Sequence, residues 1–191
     1  INGNFLLAVV GGILISIFSL ARLITYLLVH HPVLVWAFFF GLIIASTYFV
    51  AKRIDKWTFL KIVAFLIGAV LAYYITVATP AHTPDSWPYI FMSGAIAICA
   101  MILPGISGSF ILVLLGKYFY IMEAVKTLNL PVILIFAVGA AIGLVLFSHL
   151  LSYLLRKHHD ITVALLAGFM LGSLNKVWPW KTIGKTADGI V

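Results

Sequence analysis

Acidic residues are scarce in this chain. Five Asp and Glu are spread over 191 residues, and charged residues of both signs make up 9% of the total. An ordinary soluble domain carries about 25%. The single cysteine, Cys99, excludes a disulfide scaffold. Glycine shows no period of three, which excludes a collagen-like chain. No Gly-x-x-x-x-Gly-Lys-Ser/Thr stretch occurs, so no nucleotide-cradling loop is on offer. With so few carboxylates, a metal site built on acidic clusters is not expected either.

What is present is apolar. Hydrophobic residues make up 64% and mean hydropathy is +1.20. Disorder is excluded by that content, and a soluble fold by the lack of polar surface to show to water. The net charge of +7 comes from 12 Lys and Arg scattered between apolar runs, with no basic face. That pattern argues against a nucleic-acid partner. The expected class is an all-α integral membrane protein, a polytopic helical bundle whose basic residues set its orientation.

About 20 apolar residues cross a bilayer as a helix. Such runs occupy 5–29, 33–50, 61–78, 131–155 and 161–177. Trp178 and Trp180 follow the last as interfacial anchors, and a polar tail begins at Lys181. The segment 89–122 is apolar but interrupted by Leu-Pro-Gly-Ile-Ser-Gly-Ser at 103–109. Its two pieces are each too short to span. Lys52, Arg53 and Lys56, and then Arg156 and Lys157, mark two cytoplasmic loops. Only a re-entrant hairpin over 89–122 keeps both clusters on one side. The hairpin has a cost: it leaves Lys117, Lys126 and Lys181 outside.

Sliding the chain by 127 residues lays the first two spans on the last two without a gap. Ten of the 35 positions from Gly12 to Ser46 are identical, among them Gly12/Gly139, Tyr26/Tyr153, Gly41/Gly168 and Ser46/Ser173. Arg22 falls on His149. Three crossings and a hairpin separate the copies, so the repeat is of inverted topology. That architecture, with broken helices, belongs to secondary transporters. The expected division is 1–87 as the remainder of a first repeat and 88–191 as the second. The offset places a partner for the 103–109 loop upstream of Ile1, so the chain reads as a fragment.

The interrupted stretch is the candidate binding site. Pro104 lacks a backbone donor, and Gly105 and Gly108 permit positive φ and close approach. Ser107 or Ser109 can cap a half-helix starting near Phe110. Backbone amides at such a start suit an anionic group. The alternative is a Pro-Gly kink with its hydroxyls bonded back into the helix. Arg22, inside the first span, fits bidentate phosphate contact or snorkelling. His149 fits phosphate contact, proton relay or a satisfied core position. His30, His31, His158 and His159 read as solvated loop ends. Glu123 pairs Lys126 in the simplest reading. Gly11, Gly12, Gly139 and Gly143 suggest close helix packing.

Pro104–Gly108, then Gly116-Lys117-Tyr118, a basic residue ahead of Ser152-Tyr153-Leu154-Leu155, and the run from Ala167 to Trp180 resemble the bacterial polyprenyl-phosphate transporters of the PopT type. Ser109 stands where glycine or threonine is expected by this likeness, and His149 where lysine is. The resemblance implies a carrier, not an enzyme. Its cargo would be undecaprenyl phosphate, returned from the outer to the inner leaflet of the bacterial plasma membrane. Site residues would be Arg22, Pro104, Gly105, Ser107, Gly108, Ser109 and His149, with no cofactor and no metal. Proton or sodium coupling and a homo-oligomer stay open. A membrane-embedded lipid-phosphate enzyme and a small-anion transporter are the rival readings.

Overall fold

The computed structural model describes residues 3–80 and 83–180. They form eight α-helices and no strand. These are α1 Gly3–His30, α2 Pro32–Ala51, α3 Phe59–Val77, α4 Trp87–Ile102, α5 Gly108–Leu114, α6 Tyr118–Lys126, α7 Leu130–Lys157 and α8 His159–Ser173, which continues as a 3-10 turn over Leu174–Val177. Among the described residues five helices are long and apolar enough to cross a membrane: α1, α2, α3, α7, and α8 with its 3-10 turn. The protein is an all-α polytopic membrane protein. The polar tail expected from Lys181 lies outside the described residues.

The chain divides into two compact units. One comprises residues 1–42 and 177–191, the other 43–176. In the first, Phe40 meets Trp178 edge-on at 5.4 Å, and Trp178 meets Trp180 likewise at 5.4 Å. The second unit holds two helix pairs.

Small residues set both pairs. A Cβ on Gly168 would come 1.9 Å from the Phe65 carbonyl oxygen, and one on Gly172 would come 2.1 Å from that of Ala69. The residue numbers rise together, so α3 and α8 run parallel. At their starts Lys61 pairs with Asp160. In the other pair, a Cβ on Gly139 would come 2.1 Å from the Phe91 oxygen and one on Gly143 2.7 Å from Ala95. Hence α4 and α7 also run parallel. Lipid tails are as apolar as Leu, so burial alone gives such helices little reason to associate. Direct backbone contact supplies dispersion instead, and only glycine leaves room for it. Among the described residues nothing lies within 4 Å of a Cβ at Gly11 or Gly12, so no close helix contact is seen there.

The parallel run of α4 and α7 has a topological consequence. The chain between them must return to the end at which α4 began. It does so in two steps. First, α5 folds back on α4, where a Cβ on Gly108 would meet the Ala97 oxygen at 2.8 Å. Then α6 packs beside the starts of α4 and α7, with Ile121 and Ala124 buried against Ile90 and Val132. The sequence suggested one limb from Phe110 to Met122, but the structure breaks it. The amides of Gly116 and Lys117 bond to the Val113 and Leu112 carbonyls, and Gly116 takes φ 67°. This is a Schellman stop, and it turns α6 by 111° from α5.

Candidate functional site

The turn at Leu103–Ser107 begins where α4 ends. Sixteen residues carry α4 about 24 Å, short of a hydrocarbon core of about 30 Å. Gly105 takes φ 96°, a conformation costly to any residue with a Cβ. A Cβ there would also meet the Ser173 hydroxyl at 2.3 Å. So this glycine meets both a backbone and a packing demand. Ile106 is buried beneath the turn with Ala72, Ala100, Ile111 and Phe169, which holds the irregular backbone inside protein.

Ser107 is the cap. Its backbone is extended, and its Oγ accepts from the Phe110 amide at 3.2 Å. The Ser109 hydroxyl lies 3.2 Å from that of Ser107. Both serines are exposed. The helix they begin has only seven residues, so its dipole is modest and the hydroxyls carry more of the polarity. Ser109, with Gly108, also lines an apolar groove of about 220 Å³ whose other walls include Gly94, Ala97, Met101 and Leu112. The arrangement is a small polar head on a greasy slot.

The remaining expected residues are placed as follows. Pro104 is half-buried in the turn. His149 is exposed on α7, with Nδ1 2.8 Å from the Val145 carbonyl oxygen of its own helix, and it does not line the groove. Arg22 is exposed on α1, in the other compact unit. Glu123 and Lys126 form no ion pair among the described residues. The Glu123 carbonyl instead accepts from the Thr127 hydroxyl at 2.9 Å. No group of His, Cys, Asp and Glu among the described residues could hold a metal.

Two lysines make contacts that the sequence did not foretell. Lys117, counted as a cost on the outer side, is fully buried. Its ammonium donates to the Thr83 and Pro84 carbonyls at 2.7 Å each and pairs with Asp85. Its charge is thus met inside the protein. Lys176 holds its ammonium 4.2 Å from the ring centroid of Phe110, the residue whose amide Ser107 caps. Nothing in its sequence neighbourhood signals this contact.

The family described as undecaprenyl phosphate translocase-like matches residues 1–189. The chain belongs to that family. A Vibrio cholerae serotype O1 protein named polyprenyl-phosphate transporter is 51% identical over 181 residues, which is 95% of this chain and 59% of the relative. A Staphylococcus aureus protein of the same name is 31% identical over 194 residues, covering 92% of this chain and 69% of that protein. The chain therefore spans about three-fifths of the length of its Vibrio relative. No solved structure matches it. Membership in this translocase-like family bears out the resemblance carried by Pro104–Gly108, Gly116–Tyr118 and the run to Trp180.

Proposed function

We propose that this chain forms part of a polyprenyl-phosphate carrier of the bacterial plasma membrane that returns undecaprenyl phosphate from the outer to the inner leaflet. One observation carries the reading beyond the names of the relatives. Of two adjacent hydroxyls at the turn, Ser107 and Ser109, the second lines an otherwise apolar groove. A lipid phosphate has the same division: a charged head on a long apolar tail. Pro104, Gly105 and Gly108 shape the turn, the serines meet the phosphate, and the tail stays in the groove and the lipid. Arg22 and His149 enter the proposal as further basic groups for the phosphate.

The positive-inside count places the starts of α3 and α8 in the cytoplasm and the start of α4 outside. The parallel packing of α3 with α8, and of α4 with α7, supports a hairpin that enters and leaves from the outer side. It also fits the inverted repeat and its division at 87/88. Movement of one repeat against the other gives alternating access. A proton, a sodium ion or the lipid gradient itself supplies the energy. An enzyme is disfavoured, because among the described residues no His or carboxylate hydrogen-bonds either serine hydroxyl to serve as its base.

Native mass spectrometry of the purified protein tests this reading. Bound polyprenyl monophosphate should outcompete the neutral polyprenol. Ser107→Ala should weaken the phosphate lipid by about 0.5–1.5 kcal/mol, the net worth of one hydrogen bond. Equal retention of the neutral alcohol by the wild type would contradict it.

A further inference from the structure

We propose that Lys176 is the side chain that reads the charge of the phosphate head, and so sets the preference for a prenyl phosphate over a prenyl alcohol. The inference rests on the carrier reading above and adds the cation which that reading lacks at the turn.

Three described lysines of the second unit differ in how their donors are used. Lys117 spends its ammonium on two carbonyls and Asp85. Lys61 spends its own on the Lys56 carbonyl and Asp160. Lys176 is exposed, and among the described residues it forms no ion pair and donates no hydrogen bond. It is held instead over the Phe110 ring, 4.2 Å from the centroid. A ring face attracts the charge but takes none of its N–H donors in an ordinary hydrogen bond. The ammonium is therefore positioned while its donors stay available to an oxyanion.

The position suits the turn. Phe110 is the residue whose amide donates to Ser107 Oγ, and Ser107 stands 3.2 Å from Ser109. Gly105 brings the turn into direct contact with Ser173, on the segment that leads to Lys176. Phe110 thus links the two features: its amide donates to the Ser107 hydroxyl and its ring carries the Lys176 ammonium. A phosphate monoester carries a charge of about −1.5 to −2 at neutral pH and accepts several hydrogen bonds. An alcohol offers neither feature.

The test uses the full chain in neutral phosphatidylcholine nanodiscs, titrated with geranylgeranyl monophosphate, geranylgeraniol and inorganic phosphate. Lys176→Gln should raise the Kd for the monophosphate about tenfold, in line with one lost charge-assisted contact, and leave geranylgeraniol unchanged. Lys176→Arg should keep most of the wild-type preference. Phe110→Leu, which keeps apolar packing but removes the ring face, should lose part of it. The preference should fall with added salt in the wild type and respond less in Lys176→Gln. An unchanged phosphate-to-alcohol ratio in Lys176→Gln, with a selective wild type, would overturn the role of Lys176 alone. A wild type without selectivity would overturn the carrier reading itself. Inorganic phosphate binding as tightly as the monophosphate would assign the site to a free anion and overturn the lipid inference.

Discussion

Lys117 lies fully buried, yet its ammonium is paired with Asp85 in the loop ahead of α4. The contact spans 32 residues of sequence and ties that loop to the bend between α5 and α6. The Thr83 hydroxyl adds a second tie, donating to the Leu115 carbonyl at 2.7 Å. Removing one partner leaves a buried cation with only carbonyl oxygens around it. Asp85 is more than half exposed, so the full penalty for a buried orphan charge does not apply. Asp85→Asn should lower stability by about 1–2 kcal/mol. Thermal unfolding in detergent measures it, and a Lys117→Met/Asp85→Asn double variant should recover part of the loss.

Positions related by the 127-residue offset should answer differently to the same change. Gly139→Ala and Gly168→Ala force a Cβ to within 2.1 Å and 1.9 Å of carbonyl oxygens, so each should destabilise by about 1–3 kcal/mol through helix separation. Gly12→Ala and Gly41→Ala meet nothing within 4 Å and should be neutral or gain up to about 1 kcal/mol in helix propensity. Unfolding midpoints of the four variants settle the comparison.

The Ser107 cap predicts a graded series. Ser107→Ala should cost about 1 kcal/mol of stability, and Ser107→Gly only a few tenths. Ser109→Ala, which leaves the cap in place, should be near neutral for folding and affect only lipid phosphate binding. Loss of stability in Ser109→Ala matching that in Ser107→Ala would assign the cap wrongly.

The spans were legible because length and apolar content alone set them. A serine cap and a glycine turn at 104–109 were legible from residue type, but the choice of Ser107 over Ser109 and of Gly105 over Gly108 for positive φ is made by the packing. The break at Gly116 was missed although its signal was present: a glycine ending an apolar run is a helix stop. Lys117 and Lys176 were not legible. Whether a lysine near a membrane end snorkels, pairs with an acid or rests on a ring depends on neighbours 32 and 66 residues away in sequence. At Gly12 small residues at helical spacing mark only a capacity for close packing, and the described residues bring no partner to it.

Orientation can be read directly. Cysteine introduced at Lys56 and at His158 should react only with reagent added from the cytoplasmic side. Cysteine at Asp85 and at Met122 should react only from outside. Cytoplasmic labelling at Met122 would turn the hairpin into a crossing and remove the inverted repeat.

The central claim is movement of a lipid phosphate, and proteoliposomes test it most directly. Polyprenyl monophosphate is placed in both leaflets, and a membrane-impermeant phosphatase is added outside. With the protein present, the inner-leaflet share should become accessible and be hydrolysed. Lys176→Gln should slow that phase. A protected inner-leaflet share that persists with the wild-type protein, as it does in protein-free vesicles, would contradict the account.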